Sequence, residues 1–270
     1  MALFESYKQL IGAVKEMDGV LSIGKSGGED LPTQDESDID IFVFCTQVPS
    51  VRARLAAVDK LGTAVSQKMI HEKGGKFWGI CDFVMIGSTE LCLMYFTVSD
   101  MDSEIESVLN GSRPDRENDY FYPTGRCATF LSMHILCDKT RYIEDMKKRL
   151  SEYPRSLAEM LWNHHIKKIN DAEDFERAVA RGDALFYHAT LDSAMDHFLQ
   201  ALFALNQCFF PSRKRSLQFI AEFKRRPDDC TGCLLKVIEL GAKAQTLSQS
   251  YDIWSALCGE LAQLAQPISA

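Results

Sequence analysis

Two carboxylates separated by one residue, Asp38 and Asp40, sit at the head of the apolar run in Ser-Asp-Ile-Asp-Ile-Phe-Val-Phe, residues 37 to 44. In a strand, residues i and i+2 point to the same face, so Asp38 and Asp40 converge while Ile39 and Ile41 enter the core. Unpaired carboxylates in a buried strand are costly, and two on one face repel unless a cation joins them. Hard oxygen ligands at this spacing suit Mg²⁺, which is held by one or two carboxylates together with substrate phosphates. Just upstream, Gly24-Lys25-Ser26-Gly27 forms a small turn whose backbone amides and hydroxyl can receive phosphate oxygens that the metal leaves unneutralised. The expected chemistry is that of a metal-bound phosphate ester.

The same stretch offers a second reading. Residues 19 to 26, Gly-Val-Leu-Ser-Ile-Gly-Lys-Ser, fit the P-loop pattern G-x-x-x-x-G-K-[ST]. A P-loop needs a strand before its first Gly, four loop residues cradling phosphate, and a helix that begins at the Lys-Ser. Here Gly19 follows Lys-Glu-Met-Asp, the four inner positions are strand-forming, and Gly27-Gly28-Glu-Asp-Leu-Pro32 does not start a helix. The match reads as accidental, so Gly19 merely leads into a strand.

The elements around these residues change character near residue 112. Before it, short apolar runs at Val20 to Ile23, Ile39 to Cys45, Gly79 to Ile86 and Leu91 to Val98 read as strands. Phe4 to Met17 and Val51 to Leu61 space their apolar residues as helices do. The first half therefore reads as α/β or α+β. The polar stretch Gly111 to Asp119 reads as a linker. Beyond it nearly everything reads as helix: Arg126 to Cys137, Thr140 to Ser151, Ser156 to Asn170, Ala172 to Ala180, Ala184 to Cys208, Arg215 to Lys224 and Leu234 to Leu264. We expect one domain over 1–111 and a helical bundle over 112–270.

Strand, Gly-Ser turn, about ten residues, then Asp-x-Asp resembles the signature of the DNA polymerase β-like nucleotidyltransferase superfamily. The resemblance implies an α+β fold with a mixed sheet, and a third carboxylate on a later strand. The matching polar residue is Asp82, in Gly-Ile-Cys-Asp-Phe-Val-Met-Ile-Gly. The helical half is similar to that of antibiotic nucleotidyltransferases, on the segments Tyr153 to Leu157 and Ala201 to Arg215. In that branch a Lys near the second segment meets the triphosphate, and Lys214 is its counterpart. The core motif covers Val20 to Val84. It departs from the usual adjacent Gly-Ser by the interposed Lys25, which leaves open whether Lys25 or Ser26 contacts phosphate.

On this resemblance, Asp38, Asp40 and Asp82 are the catalytic and metal-binding residues, and Mg²⁺ is the cofactor. Gly24, Lys25, Ser26, Gly27 and Lys214 bind the nucleotide, ATP in most of the branch. The acceptor is a hydroxyl of a small molecule, of aminoglycoside or lincosamide type. Asp82 takes the hydroxyl proton or binds a second metal. Rival readings are a nucleotide-binding or antitoxin-like interaction protein of the same fold without turnover, and a D-x-D glycosyltransferase.

Composition narrows the classes further. The chain has 270 residues, 46% hydrophobic and 25% charged, which fits one large or two ordinary globular domains. A formal charge of -8 disfavours a broad nucleic-acid footprint, since that depends on Lys and Arg displacing counterions. No apolar run reaches the roughly 18 residues of a membrane span, and the first ten residues lack a signal-peptide pattern, so a cytoplasmic location is expected. The nine cysteines read as free thiols, and the single C-x-x-C, Cys230 to Cys233, has no second pair to complete a zinc set. His164 and His165 are neighbours in a helix, so they are expected to point to different faces, not to chelate one metal jointly, and to have structural or surface roles.

Overall fold

A computed structural model describes residues 2–27, 38–75 and 77–264. Contacts divide the chain into two compact units: Met1–Ser107 with Arg126–Glu152, and Val108–Gly125 with Tyr153–Ala270. No helix among the described residues is long and apolar enough to cross a membrane.

The first unit is an α+β fold built on a mixed six-stranded sheet. Its elements are α1 (Ala2–Lys15), β1 (Val20–Lys25), β2 (Ile39–Cys45), α2 (Val51–Asp59), β3 (Val65–Ile70), β4 (Ile80–Ile86) and β5 (Thr89–Thr97). They are followed by α3 (Val98–Leu109), α4 (Pro123–Ser132), β6 (His134–Asp138) and α5 (Tyr142–Leu150). The strand order is β3-β4-β5-β2-β1-β6, with β2 and β5 parallel and every other pair antiparallel. β4 and β5 form a hairpin whose two-residue connection begins at Gly87, at φ 64°, as a primed turn requires. α2 starts at Ser50, whose hydroxyl accepts from the Ala53 amide.

Strand alternation gives the sheet two different faces. One carries Ile23, Ile39, Ile41, Val43, Val84, Leu91, Leu93 and Tyr95, and packs with Leu10 and Val14 of α1 and with Ala57 and Val58 of α2. The other carries Phe42, Phe44 and Phe96, stacked on one another, with Phe130 of α4 and Tyr142 of α5 against Phe44. Asp40 lies on this aromatic face, by alternation with Phe42.

The second unit is helical: α6 (Arg155–His165), α7 (Ala172–Arg181), α8 (Ala184–Leu205), α9 (Ser216–Glu222), α10 (Cys230–Gly241) and α11 (Leu247–Gln263). Asp171 and Asp183 cap α7 and α8 by accepting from the Asp174 and Phe186 amides. Gly182, at φ 62°, ends α7 in the left-handed conformation that a helix C-terminus favours. The core gathers Phe175, Tyr187, Phe198, Phe203 and Trp254, and the Trp254 indole donates to the Ile169 carbonyl.

Three expectations about elements are corrected. The helix expected over Arg126 to Cys137 stops at Ser132, and β6 follows, pairing antiparallel with the outer edge of β1. A short apolar run is consistent with helix or strand, and here the open edge of β1 decides. Residues 126–152 thus belong to the sheet unit, so the division at 111 and 112 does not hold. The helix expected over Leu234 to Leu264 is two helices, broken between Gly241 and Leu247.

Candidate functional site

The positions inside the P-loop pattern form β1. With strand where that motif needs a phosphate-cradling loop, the region is organised by the β1–β2 pair. Gly24 is the register partner of Phe42 and Lys25 that of Ile41. Beyond the last pair, the Ser26 amide donates to the Asp40 carbonyl at 3.0 Å, and the Ser26 hydroxyl lies 3.4 Å from Asp40 Oδ2. The Ser26 hydroxyl and the Asp40 carboxylate therefore share the end of the aromatic face. Gly27 follows, exposed and at φ 75°. Asp38 stands immediately before β2 and is exposed, while Asp40 is half-buried. Residues 28–37, where the intervening loop was expected, lie outside the described residues.

The four turn residues separate into two kinds. Lys25 is 4% exposed and, as the partner of Ile41, alternates away from Asp40. Gly24 is buried beneath α4 and α5: a Cβ there would stand 2.1 Å from Met133 Sδ and 3.3 Å from Ile143 Cδ1. Close packing accounts for Gly24, and both it and Lys25 are buried, whereas Ser26 is half-buried and stands beside the Asp40 carboxylate.

Asp82 is not with the other two aspartates. It pairs with Leu93 in β4–β5, and Leu93 pairs with Ile41 in β5–β2, so Asp82 faces the α1–α2 side of the sheet. There it is 1% exposed and forms an ion pair with Arg54 of α2, itself 2% exposed. Arg54 also donates to the carbonyls of Pro49 and His71, and the His71 amide donates to Asp82 Oδ1. Asp82 Oδ2 has no hydrogen-bond partner among the described residues. Burial raises the Asp82 pKa, outweighing the opposing pull of Arg54 and of the His71 amide. Asp82, expected as a third ligand, thus lies on the sheet face opposite Asp40 and is paired with Arg54.

A carboxylate that shares the aspartates' face, in the strand next to theirs, is Glu90. Ile39 pairs with Leu91 in the parallel β2–β5 ladder, which sets Glu90 level with Asp38, two residues before Cys92, the partner of Asp40. Glu90 is half-buried. Cys92 registers this arrangement: contact with Cys81, burial, and the charges of Asp40 and Glu90 all push its thiol pKa up. Among the described residues these carboxylates do not gather into a set of three within 4.8 Å of one another. Asp38 and Asp40 are the residues on this face that could hold a divalent cation, since Mg²⁺ takes one or two carboxylates from protein.

In the helical unit, Lys214 is exposed in the turn that follows Pro211, its amide donating to the Ser212 hydroxyl at 3.1 Å. Its neighbour Arg213 is the built cation. Arg213 donates to Asp192 and Asp196 at 2.5 Å each, and Asp196 also receives the Tyr122 hydroxyl at 2.6 Å and Arg116 at 2.8 Å.

Comparison with known proteins adds the following. Residues 122–215 match a family described as a domain of unknown function, DUF4037. No curated protein matches the chain. Among solved structures the chain is similar to the crystal structure of a nucleotidyltransferase-like protein from Exiguobacterium sibiricum, at 10% sequence identity and a TM-score of 0.46, over 97% of this chain and 77% of the other.

Proposed function

We propose that the sheet unit is the catalytic domain of a Mg²⁺-dependent nucleotidyltransferase that moves a nucleoside monophosphate, AMP from ATP, to a hydroxyl of a small molecule. The observation that carries this reading is the tie between turn and strand: the Ser26 amide bonds the Asp40 carbonyl, bringing the Ser26 hydroxyl to 3.4 Å from the Asp40 carboxylate. An anion-receiving turn and a cation-receiving carboxylate pair then act on one triphosphate. Asp38 and Asp40 hold Mg²⁺, while Ser26 and Gly27 receive phosphate oxygens. Mg²⁺ bound there supplies Lewis-acid stabilisation of charge on the α-phosphate and on the leaving pyrophosphate.

Glu90 takes the role first expected of Asp82. The acceptor oxygen attacks the α-phosphorus, its proton passes to the Glu90 carboxylate, and pyrophosphate leaves. Most of the catalysis is positioning and electrostatics. The family resemblance supports an aminoglycoside- or lincosamide-like acceptor, and the acidic chain, at -8, is compatible with a cationic one.

One observation favours a second reading, nucleotide binding without turnover: Asp82, the third carboxylate that the motif implies, is committed to Arg54. Pyrophosphate release from Mg²⁺-ATP by the full chain, measured against a panel of aminoglycosides and lincosamides, separates the two. Mg²⁺-dependent ATP binding with release on one acceptor, both abolished in Asp40→Asn, is the expected result. Binding without release on any acceptor favours the second reading. Absence of Mg²⁺-dependent nucleotide binding overturns both.

A further inference from the structure

The helical unit contains a group of nitrogen and oxygen ligands that the proposed chemistry does not use. His164 and His165 end α6, where the chain tightens into a 3₁₀ turn over Ile166–Lys168. Neighbours in a regular helix diverge, yet these two rings meet edge to face with centroids 4.9 Å apart. Asp115 lies across them. One ligand atom from each of Asp115, His164 and His165 falls within 4.8 Å of the other two.

Two features of the hydrogen bonding set this group apart. His165 is fully buried, and its Nε2 has no hydrogen-bond partner among the described residues. Its other nitrogen, Nδ1, lies 2.9 Å from Nδ1 of His197 on α8. Between two neutral imidazoles one nitrogen donates and the other accepts. If His165 Nδ1 carries the proton, His165 Nε2 is a buried lone pair with no donor to meet it. His164 Nε2 presents the opposite problem: it is 2.8 Å from Asp115 Oδ1 and 2.9 Å from Lys168 Nζ. One nitrogen cannot donate to the carboxylate and accept from the ammonium at once. Lys168 Nζ also lies 3.4 Å from Asp115 Oδ1, so this ammonium reaches Asp115 and His164.

We propose that Asp115, His164 and His165 bind one first-row transition-metal cation of the Zn²⁺ class, through two imidazole nitrogens and one carboxylate oxygen, with a fourth position open. The cation accepts the lone pair of His165 Nε2 and that of His164 Nε2, and Lys168, itself partly exposed, swings away. His165 Nδ1–H donates to His197, the outer hydrogen bond that fixes the tautomer of metal-ligating histidines. Tetrahedral ligands at about 2.0–2.1 Å from Zn²⁺ stand about 3.4 Å from one another. The buried His165 is the fixed ligand, while Asp115, exposed, and His164, half-buried, close the remaining gap.

The open fourth position admits water or a substrate atom, the feature that separates catalytic from closed structural sites. On the far side, His197 lines a cleft of about 690 Å³ with Lys167, Thr190 and Ser193.

The test uses the full chain with Zn²⁺ in equilibrium dialysis and Co²⁺ as a spectroscopic stand-in. One equivalent of Zn²⁺ is expected, together with the visible absorption of low-coordinate Co²⁺. Asp115→Ala and His164→Ala, both at accessible side chains, should lose that equivalent and that absorption. His197→Ala should weaken binding by about 10–100-fold, as removal of an outer-shell partner does. Lys168→Ala should tighten binding, because a competing ammonium is gone. The variants keep all nine thiols, so cysteine-bound metal is retained in each and does not contribute to the difference. No uptake by the parent chain, or equal uptake by parent, Asp115→Ala and His164→Ala, overturns the assignment.

Discussion

Asp82 and Asp40 sit on strands separated only by β5, yet their side chains leave the sheet on opposite faces, Asp82 toward Arg54 of α2 and Asp40 toward the Ser26 hydroxyl. Removing Arg54 strands a buried carboxylate, and breaking such a pair costs about 3–5 kcal/mol. Arg54→Ala is expected to lose that much stability in urea unfolding. Asp82→Asn should leave Mg²⁺-ATP affinity unchanged, in contrast to Asp40→Asn. A loss of nucleotide affinity in folded Asp82→Asn would return Asp82 to the site.

The same pair has a pH signature. Burial raises the Asp82 pKa in the folded protein, so the folded state binds this proton more tightly than the unfolded chain does. The stabilisation from the bound proton is therefore complete below the ordinary Asp value of about 3.9, and is lost as pH rises through the raised value. Unfolding free energy measured from about pH 4 upward should carry this downward contribution, and the parent-minus-Asp82→Asn difference isolates it. A difference that rises with pH would mean that Arg54 outweighs burial.

Glu90 is expected to act in chemistry rather than in nucleotide binding. General-base assistance contributes about 10²–10⁴-fold in rate, and the amide in Glu90→Gln keeps the shape without the basicity. Pyrophosphate release should fall by that factor with little change in the KM for ATP. Unchanged turnover would remove Glu90 from the mechanism, whereas loss of ATP binding would make it a metal ligand.

Much of this arrangement was legible in one dimension. Asp38, Ile39, Asp40 and Ile41 alternate, and alternation within one strand is a local property, so burial of Ile39 and Ile41 beside a half-buried Asp40 followed from spacing alone. The face of Asp82 relative to Asp40 did not. It depends on two successive ladder registers, through Leu93 to Ile41, and a slip of one residue in either would reverse it. Glu90 was not singled out, because its place level with Asp38 depends on the β2–β5 register in the same way. His164 and His165 were set aside on regular helical geometry, which ends where the 3₁₀ turn begins.

Gly24 illustrates a motif residue retained for packing. Adding a Cβ at 2.1 Å from Met133 Sδ forces the flexible Met side chain or α4 to move, and overpacking of this kind costs about 1–3 kcal/mol. Gly24→Ala should be destabilised by that amount, and Met133→Ala in the same chain should recover part of it. A loss of ATP affinity in Gly24→Ala with stability intact would instead give Gly24 a phosphate-facing role.

The helical unit offers the sharpest contrast between neighbours. Lys214 is exposed in a turn, and substitutions at such surface positions usually stay within about 0.5 kcal/mol. Arg213 holds Asp192 together with Asp196, which is 5% exposed and shared with Tyr122 and Arg116. Hydrogen bonds to charged groups are each worth about 1.5–3 kcal/mol, and Arg116 remains as partial compensation. Arg213→Ala should therefore lose about 2 kcal/mol in urea unfolding while Lys214→Ala loses almost none. If Lys214 nevertheless contacts the triphosphate, as the family resemblance implies, Lys214→Ala will raise the KM for ATP several times more than the KM for the acceptor, with stability unchanged. Equal KM values in mutant and parent confine Lys214 to the solvated surface, and leave Arg213 as the residue that shapes this segment.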